Sequence, residues 1–461
     1  MLYSLRKIAL AAAISLPLAA SAQNQDSLHI RKIYDMALSQ GQSYEQLRYL
    51  TSRIGARLSG SPQAAAAVEW ARQEMGEMGL DRVYLQEVMV PHWVRGEKEY
   101  AAIVNSRITP TREVQVLALG GSVATPANGL TAEVVEVQSI DELKKLGKKK
   151  VQGKIVFFGR AFDQTHINTM DAYRGAVDQR SSGPSEAGRL GAVGVVVRSM
   201  ASNTDDFPHT GGLRYAEGAP RIPAVAISPK GADLLSKLLK EDDKLQFHLR
   251  MNPQWLPDVL SYNVIGEIKG TEKPDEIIVV GGHLDSWDIG EGAHDDGTGC
   301  VQSMEVLRLM KAMGYKPKRT IRAVMYMNEE NGLRGGTKYA EIAKKQGEKH
   351  IAAIESDEGG FTPRGFGISA PTQAAFQKAL SWKNLLAPYG LHDIEPNGGG
   401  ADIGPLKDDR VALIGFLPDS QRYFDIHHTA NDTFDKVNRR ELELGGASMA
   451  ALVYLIDQYG L

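Results

Sequence analysis

The spacing of apolar residues changes rhythm twice along the chain, and each change predicts a different kind of structure. After Ser61-Pro62 the run QAAAAVEWARQEMGEMG is rich in helix formers, with serine as cap, proline in the first turn and Gly79 as stop. RVYLQEVMV follows as a strand. From about Gln115 to Leu249 the apolar runs shorten to AEVVEV, GKIVFFG, AVGVVVRSM and IPAVAIS, separated by glycine, proline and serine, with one clear helix near Ala232 to Leu239. That texture predicts a compact β-rich insert.

After Trp255 strands and helices alternate. EIIVVGG is a strand, and GCVQSMEVLRLMKAMG an amphipathic helix with Met304, Val306, Leu307, Leu309, Met310 and Met313 at helical spacing. IRAVMYM, IAAIES and VALIGFL are further strands, and ELELGGASMAALVYLIDQYG closes the chain as a helix. This order predicts an α/β fold: a mixed, largely parallel sheet with helices on both faces, plus the β-rich insert.

Composition then sets limits. A chain of 461 residues is long enough for two domains. Apolar content of 43% and charged content of 24% fit an ordinary globular core, and a net charge of −3 gives no electrostatic reason to expect nucleic acid or an anionic membrane as partner. Arg6 and Lys7, the apolar stretch Ile8 to Ala20 and the small residues Ala20-Ser21-Ala22 read as an export signal, too short to span a bilayer. The expected layout is a signal at 1–22, a main α/β domain at 23–114 and 250–461, and an insert at 115–249. Cys300 is the sole cysteine, so no intramolecular disulfide forms; it is expected to be a buried small residue of a periplasmic or secreted protein.

Candidate chemistry sits at the strand ends, where functional groups gather in such sheets. The loop GGHLDSWDIGEGAHDDGTG, 281–299, carries His283, Asp285 and Asp295. The next strand ends at Glu329-Glu330, the third at Asp357, and the loop after the fourth holds His427-His428. Taken singly, each has a bland reading: a core histidine, a solvated acid pair, a helix cap, a surface histidine. Converging from four strand ends, they form a crowd of carboxylates that only cations make tolerable, and nitrogen and oxygen donors without thiolate point to zinc.

These residues resemble the dinuclear-zinc exopeptidase family of leucyl-type aminopeptidases and carboxypeptidase Q-like enzymes. RLSGSPQAAAAVEWARQEMGEMGL looks like the family's N-terminal helix, GGHLDS with AHDDGTG like its first metal motif, and MNEENGLRGG like its Glu-Glu motif. ESDEGG and HHTANDT complete the set. The resemblance implies two zinc ions bridged by Asp295, one completed by His283 and Asp357, the other by Glu330 and His428. Glu329 would be the general base acting on a metal-bridging water, and Asp285 would orient His283 from behind. It also implies a cis Asp295-Asp296 peptide bond and a protease-associated domain as the insert.

Two departures narrow the picture. His427 stands where many relatives have tyrosine, as a candidate donor to the oxyanion. PNGGGADIGPL, 396–406, replaces a Ser-Asp-His stretch, leaving Asp402 a supporting candidate. The expected protein is an exported exopeptidase acting on dipeptides or short peptides. A single-zinc glutaminyl cyclase and a non-catalytic binding protein are the alternatives. Arg334, Arg364 and Arg410 are candidates to pair with a substrate carboxylate, and the sequence leaves open whether the chain forms a homodimer.

Overall fold

The structure, a computed structural model, describes residues 25–461. The expected export signal at 1–22 lies outside the described residues. Sixteen strands of the described chain, numbered in order, form two eight-stranded sheets.

The first sheet has the order β1-β10-β12-β11-β13-β16-β14-β15. Its strands are β1 (Arg82–Val94), β10 (Gln254–Ile268), β11 (Lys273–His283), β12 (Arg319–Tyr326), β13 (Lys349–Glu355), β14 (Pro363–Ser369), β15 (Asp393–Pro396) and β16 (Ala412–Pro418). The centre, β12-β11-β13-β16, is parallel. β1 and β10 pair antiparallel on one side, and β14 runs antiparallel to β16 on the other. The sheet is therefore mixed around a parallel middle.

Alternation along the central strands supplies a core on each face. Ile278 and Val280 of β11 join Ile321, Ala323 and Met325 of β12 in the larger core, against the helices Thr298–Ala312 and Arg439–Tyr459. Ile277, Val279, Val324 and Tyr326 point the other way, onto Tyr339 and Ala343 of the helix Arg334–Gln346. With apolar residues at successive positions of one strand, both faces must be covered. A helix at 25–40, which the sequence did not announce, adds Ile30, Ile33 and Tyr34 to the larger core.

The second sheet has the order β3-β2-β9-β5-β6-β7-β8-β4. It is built from β2 (Tyr100–Val104), β3 (Arg112–Glu113), β4 (Val116–Ala118), β5 (Leu130–Val137), β6 (Ile155–Phe158), β7 (Gly194–Arg198), β8 (Ala224–Ile227) and β9 (Gln246–Arg250). β2 and β3 precede the expected start of the insert at 115, yet they belong here because β2 hydrogen-bonds to β9 along its length. The expectation of one clear helix is also corrected. Besides Pro229–Glu241, helices cover Ile140–Val151 and Gly183–Arg189, and β5 to β8 run parallel. Ile140–Val151 was hidden because its run IDELKKLGKKKV buries only Leu143 and Val151, so it has almost no apolar period to read.

The two sheets pack into one body. Trp93, Leu58 and Trp287 share a core with Phe157 and Phe247 of the second sheet, and Phe361, Tyr423, Phe424 and Ile426 share another with Phe162, Ala172 and Met200. No helix among the described residues is long and apolar enough to cross a membrane. Leu307, fully buried between the first sheet and its helices, tests the larger core. Leu307→Ala should destabilise the fold by about 2–5 kcal/mol, read as a lower urea midpoint with an unchanged slope.

Candidate metal centre

Four ends of the parallel strands bring the ligand-type side chains together. His283 is the last residue of β11, and its Nε2 lies 3.2 Å from Asp295 Oδ1 and 3.1 Å from Asp357 Oδ1. His428 Nε2 lies 3.1 Å from Asp295 Oδ2 and 3.2 Å from Glu330 Oε2. Asp295 thus stands between two imidazoles, one oxygen toward each. Its Oδ2 has no hydrogen-bond partner. Ligand atoms of His283, Asp295 and Glu330, of His283, Asp296 and Asp357, and of Asp295, His427 and His428 form three groups, each within 4.8 Å of one another.

Asp296 is the weakest of these donors. Its two oxygens already accept the N–H groups of His283 (3.0 Å) and Gly299 (2.9 Å). It holds the loop rather than facing the cleft. The Asp295-Asp296 peptide bond is cis.

Asp285 supports the site differently from expectation. The ring nitrogen Nδ1 of His283 is 2.9 Å from the main-chain carbonyl of Asp285, while the carboxylate is 3.9 Å away. That carboxylate instead accepts the N–H groups of Asn328 (2.7 Å), Glu329 (3.0 Å) and Glu330 (3.4 Å), fixing the acid pair at the end of β12. Three amides converge on it, so the side chain turns away from the ring.

Asp402 is fully buried, and neither of its carboxylate oxygens has a partner. Its N–H and that of Ile403 donate to Glu355 Oε2 at 3.0 and 2.9 Å. Gly400 makes this packing feasible, since a Cβ there would meet the Glu355 carboxyl at 2.2 Å. Burial, and then the charges of Glu355 and Glu329, push the Asp402 carboxyl well up. It senses the charge of Glu329 without a side-chain hydrogen bond to it.

His427 stacks on His428 with ring centroids 3.5 Å apart, and its Nε2 is 3.7 Å from Asp295 Oδ2. Tyr173, Tyr423 and Phe424 surround the ring. Burial, followed by the charge of His428, holds its pKa well below the usual imidazole range, so it is neutral.

The charge balance of the cluster is tight. Burial pushes Asp295 up, but the imidazoles of His283 and His428 outweigh it and hold the carboxyl well below the usual range. Burial raises Glu330 to about 7, helped by the charge of Asp295. Glu329 is pushed well up by burial and then by Asp357 and Glu330. Burial lowers His428, but Glu330 and Asp295 outweigh it and push it up to about 10. Acids crowded this closely need positive charge, as protons on the histidines or as cations in their place.

The groups open onto a cleft of about 710 Å³ lined by loops of both sheets: Asp295, Glu329, Glu330, Asp357, His427 and His428 from the first, Gly120, Tyr173, Arg180, Gly212 and Arg214 from the second. Arg334, Arg364 and Arg410 do not reach it; they pair with Asp258, Asp419 and Asp408.

Sequence reasoning assigned no role to several supporting residues. Arg57 is fully buried, donating to the carbonyls of Leu284 (2.6 Å), Glu291 (2.9 Å) and Gly292 (2.9 Å) across the loop. Asp432 accepts the N–H groups of His294 (2.7 Å) and Asp295 (3.1 Å). Both lie inside motifs already singled out, RLSGSP and HHTANDT, but nothing local in either motif marked a side chain that binds loop main-chain atoms. Thr210, whose carbonyl is 3.2 Å from His428 Nδ1, comes from the second sheet's loops and carried no signal. Cys300 is buried, as expected, with Sγ 3.1 Å from the carbonyl of His283.

Known proteins resemble this chain over most of its length. The profile described as peptidase family M28 matches residues 263–453. Carboxypeptidase Q of Mus musculus is 36% identical over 418 residues, covering 90% of this chain and 86% of that protein. The chain belongs to peptidase family M28. A family member of known structure, the peptidase M28 precursor of Shewanella amazonensis, is 35% identical with a TM-score of 0.89, covering 94% of this chain and 97% of that one. The zinc aminopeptidase BSAP of Bacillus subtilis, 19% identical with a TM-score of 0.64 over 89% of this chain and 94% of its own, shares the fold. The family makes this chain a peptidase, and the cleft holds its clustered acids and imidazoles.

The raised pKa of His428 has a consequence for metal-free protein. The folded value, about 10, exceeds the unfolded 6.5, so its pairing with Asp295, whose carboxyl is held low, stabilises fully below pH 6.5, and that contribution disappears as pH rises through about 10. Chelator-treated protein should lose melting temperature across this window, and His428→Gln should reduce that slope.

Proposed function

We propose that the cleft is the active site of an exported, zinc-dependent exopeptidase that hydrolyses short peptides, with Glu329 as general base. The donor set supports zinc: imidazole and carboxylate, no thiolate, in groups that overlap at Asp295 and His283. In this reading His283, Asp295, Asp357, Glu330 and His428 would hold two zinc ions per chain. When bound, the metal acidifies water toward neutral pH and polarises the scissile carbonyl. His427, neutral and facing the same space, donates to the developing oxyanion. The export signal at 1–22 and a periplasmic or secreted location belong to the same reading. So does the identity of the second sheet as a protease-associated domain that walls the cleft.

The observation that carries the assignment is the unlike tethering of two adjacent acids. Glu330 Oε1 accepts the N–H of Trp287 at 3.2 Å while Oε2 faces His428, so its carboxylate is fixed at both ends. The Glu329 carboxylate lines the cleft and makes no hydrogen bond among the described residues, although its own N–H is held by Asp285. A fixed carboxylate suits coordination. A free one with a raised pKa takes a proton from the attacking water and returns it to the leaving amine.

Glu329→Gln should keep about two zinc ions per chain and lower peptide turnover by at least ~100-fold, the low end for a general acid–base group. Glu330→Gln should lose zinc from one site and regain part of its activity when zinc is added in excess. Zinc content and hydrolysis measured on both variants check the pair; zinc loss in Glu329→Gln with full occupancy in Glu330→Gln would reverse the roles.

A further inference from the structure

Arg180 is a buried cation without a counter-ion. It lies in the short helix Asp178–Ser181 beside the second sheet and is 6% exposed. Nη1 donates to the carbonyl of Thr210 at 3.2 Å, Nη2 donates to the Tyr173 hydroxyl, and Nε has no partner. Neither acceptor is charged, and no Asp or Glu among the described residues forms an ion pair with it. The other buried arginines are satisfied: Arg57 spends its donors on three loop carbonyls, Arg319 pairs with Glu276, and Arg322 pairs with Glu267 and Glu348. Buried charges are ordinarily paired, so a lone guanidinium in a cleft wall implies that its anion arrives from outside.

Its position is fixed relative to the reacting groups. The Thr210 carbonyl that accepts from Arg180 also faces Nδ1 of His428. The Arg180 guanidinium lies 5.5 Å from the centre of the Tyr173 ring, and that ring meets His427 edge-on at 5.3 Å. Gly211 makes room for it, because a Cβ there would come within 2.2 Å of Nη1 and its φ is +139°. Arg180 lines the same cleft as Asp295, Glu329, Glu330 and Asp357, and the exposed Arg214 is also on its lining.

We propose that Arg180 holds the free carboxylate of the substrate and so selects peptides whose C-terminus lies next to the bond cleaved. This rests on the reading of the cleft as a peptidase active site and adds a specificity residue to it. A guanidinium with unspent donors donates parallel hydrogen bonds to a carboxylate, which a neutral amide does not match.

Alanyl-alanine and its C-terminal amide separate the two cases. The zinc-loaded enzyme should prefer the acid by at least ~30-fold in kcat/KM, chiefly through KM, the low end for a buried charge pair. Arg180→Gln should bring the ratio near one by raising KM for the acid, and Arg180→Lys, which keeps the charge, should retain an intermediate preference. A merely structural role would lower turnover of acid and amide alike, leaving the ratio as in the wild type; that result, or a wild-type enzyme indifferent to the amide, overturns the proposal. Calorimetric titration of both compounds into Glu329→Gln, with and without Arg180→Gln, reads the same preference without turnover. Acid-selective binding through Arg180 in a protein that hydrolyses neither compound would sink the peptidase reading and leave this one standing.

Discussion

The Asp295 carboxylate, with one oxygen toward His283 and the other toward His428, is the contact on which the rest of the site depends. It sits in a loop, and its place is imposed from several directions. Asp432 takes its N–H, Asp296 anchors the next turn to His283 and Gly299, and Arg57 holds the carbonyls on the loop's other limb. A buried carboxylate between two imidazoles is favourable only while both keep their positions, so rigidity here is an electrostatic requirement.

The second sheet enters the same logic. Thr210 takes part in both directions, its N–H donating to the carbonyl of His428 and its own carbonyl facing that ring's Nδ1. The second sheet's segment therefore sets the orientation of a ligand-type histidine, besides lining the cleft through Gly212, Leu213 and Arg214. A ring so oriented presents Nε2 to Asp295 and Glu330, the arrangement by which a neighbouring carbonyl fixes an imidazole tautomer. The aromatic contacts of Phe424 and Tyr423 with Phe162 and Met200 hold the two bodies together beside it.

The parts legible in the sequence were those written in strand ends. β11, β12, β13 and β16 carry apolar runs that end abruptly in acids or histidines, so both the parallel centre and the crowd beyond it followed from position alone. The supporting groups were not legible. Arg57 and Asp432 act on main-chain atoms of a loop more than a hundred residues away in sequence, and nothing local distinguishes a side chain that binds a carbonyl from a solvated one. Asp285 shows the same limit: its proximity to His283 suggested a side-chain bond, but three amides at the end of β12 compete more strongly for the carboxylate. The helix Ile140–Val151 escaped because lysines carry no period, and β2 fell before the expected start of the insert at 115 because its partner, β9, lies almost 150 residues on.

The site is also where the fold accepts its least favourable backbone. Asn328 and Leu333, on either side of the Glu329-Glu330 pair, have φ of +76° and +58°, and His428 has +62°. Side chains other than glycine pay of order 1–3 kcal/mol in such conformations, and they persist only where the surroundings over-determine them. Burial of Asp402 and Glu355 with unpartnered oxygens adds to that cost. The offset comes from the larger core, where Ile278, Val280 and Ile354 on the strands and Met304 and Leu307 on the helix Thr298–Ala312 are all fully buried. The strand that presents His283 is thus held by the same apolar residues that oppose the strain at its end. Precision at the site and stability of the sheet are then one property of β11 rather than two.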